Sequence, residues 1–386
     1  MESTTVGVVR ETTPGERRVA LVPESVARLR HCGAHVLVQA GAGAAAAFAD
    51  SAYAQAGATI ADATDIFGRA DILACVSPPE DAHMRAGQVI VGLLQPGARP
   101  RQVREWADAG ITAVSLDQLP RTLSRAQSMD ALTSQASVTG YKAVLVAANA
   151  YGGYLPMMMT AAGTVRPAAV LVLGAGVAGL QAIGTAHRLG AVVTGYDVRP
   201  EAAEEIRSLG ARFLDLGEPV EAAGAGGYAR ELTEAEREAQ QRALDERVAG
   251  FDIVITAAAV PGRRPPLLVT EAALKGMRAG SVLVDTAVGP LGGNVALSRP
   301  DATIVVGDGV TVIGAGNLPA LMPTAASTAY ARNVCATLGY LLHDGILSID
   351  IADELQSAIV LCHEGALISP AVRSLAVAAE SEGEET

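Results

Sequence analysis

Residues 171–197 read LVLGAGVAGLQAIGTAHRLGAVVTGYD, and this stretch narrows the choice of fold further than its neighbours do. The apolar run Val170–Leu173 predicts a strand. Gly174, Ala175, Gly176, Val177 and Gly179 then set a GxGxxG spacing at the start of an alanine-rich helix, and a second strand ends on Asp197. The first glycine permits a tight turn, the second leaves room for a pyrophosphate against the backbone, and the third brings helix against strand. The helix start turns free N–H groups and a positive dipole end toward an anion. Asp197 offers a carboxylate to a ribose diol and repels a 2′-phosphate. Arg199, just beyond Val198, has the opposite preference. The pattern implies a dinucleotide site that takes NAD in preference to NADP.

At 386 residues the chain suits two domains. Half the residues are hydrophobic and only 3% aromatic, with 41 glycines, the profile of an α/β protein whose helices and sheets pack closely. A net charge of −12 argues against nucleic acid or an anionic membrane as partner. Cys32, Cys75, Cys335 and Cys362 have no CxxC spacing and the histidines no ligand spacing, so neither a zinc site nor a disulfide framework is read. No GxSxG occurs. The polar start MESTTVGVVR is not a signal peptide, and the uncharged run Ala168–Ala186 is explained by its glycine pattern, not by a membrane span. The expected setting is cytoplasmic.

Strands are read at Thr5–Val9, Ala34–Gln39, Asp71–Val76, Val89–Leu94 and Thr112–Ser115, with a helix at Pro23–His31. A second series follows at Ala169–Leu173, Val192–Tyr196, Ile253–Thr256, Val282–Asp285, Thr303–Val306 and Val310–Ile313. Ala257, just past the third of these, joins the candidate cofactor residues. Ser134–Ala150 reads as a crossing helix and Thr328–Leu342 as a helix that returns to the first unit. The expected fold is therefore α/β, with two Rossmann-like parallel-sheet domains separated by a cleft and the first domain discontinuous. Residues 1–135 and 328–386 form the outer domain, and 136–327 the dinucleotide-binding domain with the crossing helix. Gly224–Gly227 suits a lid, the charged stretch after it a solvated helix, and the tail SEGEET a disordered end. Met157–Met159 is expected to pack near the domain junction.

The string YLPMMMTAAGTVRPA (Tyr154–Ala168) resembles the NAD(H)-binding component of proton-translocating NAD(P) transhydrogenase, a family related to alanine dehydrogenase. The resemblance extends through VVRETTPGERRVALVPESV, SRAQSMDALTSQASVTGYKAV, AGGYARELTE and NLPALMPTAASTAYARN, essentially the whole chain. It implies a soluble, homodimeric subunit that binds NADH and passes hydride to NADP⁺ on another subunit. Membrane subunits would complete the system and hold this chain peripherally at the inner membrane. It also implies that Tyr228 folds over bound nucleotide and that Arg121, Gln127, Asp130 and Thr133 lie beside the nicotinamide. Thr133 stands where the family carries Ser. Read without the resemblance, the same loop is a polar N-cap, with Asp130 capping the crossing helix.

An amino-acid dehydrogenase needs a cation for the substrate carboxylate and acid–base groups for its nitrogen. Alanine dehydrogenases use Arg, Lys and His. The matching positions here are Arg18, Ser77 and Gln95, so two of the three groups are missing. Departures from the transhydrogenase pattern are PRTLSRAQ and DTAVGPLGGN, each one residue longer, and GAGNLPALMPT, which places Ala315, Gly316, Ala320 and Leu321 where polar or bulkier residues are usual. A stand-alone NAD-dependent oxidoreductase of an amino or imino acid and a non-catalytic nucleotide-binding protein remain as alternatives.

Overall fold

The computed structural model describes residues 3–79, 84–120, 123–216, 234–259, 264–370 and 372–374. Arg121, Tyr228, the Gly224–Gly227 stretch and the SEGEET tail lie outside the described residues. The chain divides into two units, Met1–Val138 with Pro319–Thr386, and Thr139–Leu318.

Unit one opens with β1 (Thr5–Val8), β2 (His35–Gln39), β3 (Thr59–Ala61), β4 (Ile72–Ala74), β5 (Val89–Gly92) and β6 (Thr112–Ser115). They pair in parallel in the order β3-β2-β1-β4-β5-β6. Both β4 and β5 are buried throughout, which is why they read as unbroken apolar runs instead of alternating ones.

Unit two begins with a hairpin of β7 (Met158–Thr160) and β8 (Gly163–Val165). Its sheet contains β9 (Ala169–Leu173), β10 (Val192–Tyr196), β11 (Arg212–Phe213), β12 (Ile253–Thr256), β13 (Val282–Asp285), β14 (Thr303–Val306) and β15 (Val310–Gly314). The order is β11-β10-β9-β12-β13-β15-β14, parallel except for β14. That edge strand alternates exposed and half-buried residues, as expected where one face meets water. Among the parallel strands of each sheet the order reverses once, between β1 and β4 and between β9 and β12. Open α/β sheets take ligands outside the carboxyl ends of strands at such a point.

The return helix spans Pro323–Leu341, beginning ahead of the expected Thr328 because Pro323 takes the first helical position, where its fixed φ fits and its missing N–H loses nothing. It completes the core of unit one. Tyr330 is fully buried and donates its hydroxyl to the Cys75 carbonyl at 2.8 Å, and Ser327 Oγ accepts the Val19 N–H at 3.0 Å. The strands β16 (Leu342–His343), β17 (Ile346–Leu347), β18 (Val360–His363) and β19 (Ala366–Leu367) follow. β18 lies antiparallel against β6 and extends the first sheet. These short tail strands had no counterpart in the sequence reading.

One expectation is corrected. Met157, Met158 and Met159 do not pack: they are 57%, 36% and 76% exposed on or beside the β7–β8 hairpin. The two short strands, joined through Ala161 and Ala162, form a sheet of their own with no third strand beside them among the described residues. Among the described residues no helix is long and apolar enough to cross a membrane.

Candidate nucleotide-binding site

The site is built where β9 ends. Gly174 has φ +97°, and a Cβ there would stand 2.8 Å from the Ala258 nitrogen and 2.9 Å from the Ala257 carbonyl carbon. A Cβ on Gly179 would fall 1.7 Å from the Gly174 oxygen. The first and third glycines are therefore demanded by the protein's own backbone. Gly176 is different. Its φ is −74°, it is exposed, and a Cβ on it meets nothing within 4 Å. Only a group arriving from outside gives a reason for glycine at that position. Gly176 also caps the helix Val177–Arg188 without a side chain, so no cap side chain accepts from the first N–H groups, which lack intrahelical acceptors.

Asp197 follows β10 beside this turn. Its Oδ2 accepts the Ala175 N–H at 2.7 Å and its Oδ1 the Arg199 N–H at 2.9 Å. The Arg199 side chain donates to both oxygens, at 3.0 Å and 3.2 Å. Burial pushes the Asp197 carboxyl up, but the hydrogen bonds from Arg199 and Ala175 outweigh it and hold the group below its ordinary range. Val198, between them, is 73% exposed.

The far side of the switch point is held by Ala257, a candidate from the sequence, and by Asn294 and Asp285, which the sequence does not single out. Ala257 donates its N–H to the Leu173 carbonyl at 2.8 Å. Asn294, fully buried, accepts the Ala258 N–H at 3.1 Å and donates to the Ala258 and Pro266 carbonyls at 2.9 and 2.7 Å. One amide thus grips the peptide groups against which Gly174 turns. Buried Asp285 accepts from Thr256 Oγ1 at 3.0 Å and from the Ala287 and Val295 N–H groups at 3.1 Å. A Cβ on Gly293 would stand 2.3 Å from Asp285 Oδ2. The only sequence signal for this support was the GGN triplet. The two altered segments also meet here, since a Cβ on Gly316 would lie 2.7 Å from the Val288 carbonyl oxygen.

Of the residues expected beside the nicotinamide, Gln127 is exposed on the 3-10 turn Ser124–Met129, and Arg121 lies outside the described residues. Asp130 accepts the Thr133 N–H at 2.9 Å and its hydroxyl at 2.6 Å. This capping starts the crossing helix at Ala131, ahead of the expected Ser134.

At the switch point of unit one, Glu11 accepts the Val76 and Ser77 N–H groups at 2.6 and 3.0 Å; past the ends of β5 and β6, Asp117 accepts those of Leu94 and Gln95 at 3.0 and 2.6 Å. The Arg18 side chain pairs with Glu16 through two hydrogen bonds, at 2.8 and 2.6 Å, and donates to Gln135 at 2.9 Å. Burial pushes the Glu11 carboxyl up to about 7, with the Val76 and Ser77 donors opposing it. The folded chain therefore holds this proton more tightly than the unfolded one. Its contribution to stability is full below about pH 4.5, declines toward pH 7 and is flat above, a loss on the order of 3 kcal/mol. In urea titrations across this range, wild type should lose stability relative to Glu11→Gln. A pH-independent difference would show that Glu11 is ionised in the fold throughout.

The comparisons with known proteins agree with this architecture. The model described as "Alanine dehydrogenase/PNT, N-terminal domain" matches residues 7–139, and its C-terminal counterpart matches residues 143–370. NAD(P) transhydrogenase subunit alpha of Cereibacter sphaeroides is 42% identical over 373 residues, covering 95% of this chain and 71% of that protein. A crystal structure of transhydrogenase from Sinorhizobium meliloti aligns with a TM-score of 0.84 at 40% identity, covering 94% of this chain and 99% of that one. Alanine dehydrogenase of Mycolicibacterium smegmatis is more distant, 30% identical over 380 residues and 95% of each chain. The chain belongs to the alanine dehydrogenase/PNT family of oxidoreductases, on the side of the NAD(P) transhydrogenase alpha subunits.

Proposed function

We propose that unit two binds NAD(H) and that the chain exchanges a hydride with NADP(H) held on a partner subunit, within an assembly whose membrane subunits translocate protons. The observation that carries the dinucleotide reading is Gly176, where neither backbone angle nor packing calls for glycine but an approaching pyrophosphate does. Asp197 beside it supports NAD over NADP, because its charge accepts from a diol and repels a 2′-phosphate.

Bound nicotinamide supplies the hydride. The chain's own residues supply position, and none of them has to gain or lose a proton in that transfer. Gln127, Asp130 and Thr133 offer amide, carboxylate and hydroxyl groups suited to the carboxamide, with Arg121 and Tyr228 added by the family resemblance. A homodimer belongs to the same proposal. The dehydrogenase alternative has weaker support: Arg18 is committed to Glu16 and Gln135, and Ser77 and Gln95 replace the lysine and histidine.

The test separates ligand from fold. Gly176→Ala should leave the thermal transition within about 1 °C and weaken NADH at least tenfold, since the added methyl projects only into the ligand's space. NADH affinity unchanged in that variant would refute the pyrophosphate placement.

A further inference from the structure

The carboxylate that the dinucleotide reading assigns to the adenosine ribose already has a full set of partners. Four N–H groups converge on Asp197, and an ionised carboxylate accepts about four hydrogen bonds. Two of them, the backbone N–H groups of Ala175 and Arg199, are fixed by the turn. The other two are Nε and Nη2 of Arg199, whose side chain is 53% exposed and can swing into water. The same Nη2 donates to the Ala175 carbonyl at 3.2 Å. The guanidinium therefore spans from the end of β10 to the first turn after β9, along the edge where a ribose would enter.

A diol needs acceptor places on Asp197, and the guanidinium is the occupant able to vacate them. We infer that Arg199 holds the ribose place in the nucleotide-free chain and is displaced from Asp197 by the adenosine ribose. By this exchange it sets both the affinity for NAD(H) and the margin over NADP(H). The inference rests on unit two being the NAD(H) site. Arg199 acts in opposite directions on the two nucleotides. Toward NADH it is a competitor. Toward NADPH the displaced cation stays near the 2′-phosphate and offsets part of the repulsion from Asp197.

Full-length wild type, Arg199→Ala and Arg199→Met (the last keeping an aliphatic stem) are titrated with NADH and NADPH by nucleotide fluorescence. Exposed ion pairs compete weakly, so both variants should bind NADH about two- to fivefold more tightly. They should bind NADPH about two- to fivefold more weakly, widening the margin between the nucleotides. If wild type binds NADH and both variants bind it equally or more weakly, Arg199 contacts bound nucleotide or is a bystander, and the displacement is overturned. A wild-type chain that binds neither nucleotide overturns the dinucleotide reading, and this inference with it.

Discussion

Gly179→Ala should damage unit two more than any substitution at an exposed position of the fingerprint. The new methyl would sit 1.7 Å from the Gly174 oxygen and 2.8 Å from its carbonyl carbon. Both are backbone atoms, so no side-chain rotation relieves the clash. The helix Val177–Arg188 would have to lift away from the turn, taking its N–H groups with it. We expect a loss of about 3 kcal/mol or more, at the upper end of overpacking effects, and no measurable NADH binding. Hydrogen exchange across β9 and the following helix, with an NADH titration, checks this. Native protection in the variant would show that the helix tolerates a side chain there.

The second large effect is expected at Asp197. Asp197→Ala removes the proposed acceptor for the ribose diol and should weaken NADH by about 10- to 100-fold, the loss of one or two charge-assisted hydrogen bonds. The same change lifts the repulsion of a 2′-phosphate, so NADPH should suffer less and the preference should narrow. Asp197→Asn keeps the size and removes the charge, and should improve NADPH relative to NADH. Equal affinities in wild type and Asp197→Ala would place the ribose elsewhere.

Much of the sheet framework could be read from residue order alone, for a physical reason. Strands β9, β12 and β13 occur where the sequence predicts them, because parallel strands buried on both faces leave continuous apolar runs. Other features leave no such trace. The tail strands are only two to four residues long, too short to show a period; β18 is placed by the edge of β6, β19 pairs with β18, and β16 pairs only with β17. The exposed methionine hairpin looked like core material because composition does not report the absence of a second layer. Asn294 lies far along the chain from Gly174, so its grip on Ala258 is visible only once β12 and β13 are side by side. The departures DTAVGPLGGN and GAGNLPALMPT are separate in the sequence, yet a Cβ on Gly316 would lie 2.7 Å from the Val288 carbonyl oxygen, so the two segments are neighbours in the fold. Asp130 and Thr133 could be read as a cap or as site residues, and the structure realises the cap while leaving the second role as a proposal.

In the proposed reaction, NADH bound to this chain donates hydride to a nicotinamide held by another protein. The direct measurement mixes the purified chain with NADH and an NADP(H)-binding component of a related transhydrogenase, and follows reduction of an NAD⁺ analogue. Turnover is predicted only when both proteins and NADP(H) are present. Oxidation of a small amino or imino acid by the chain alone with NAD⁺, or turnover independent of the partner, would contradict it.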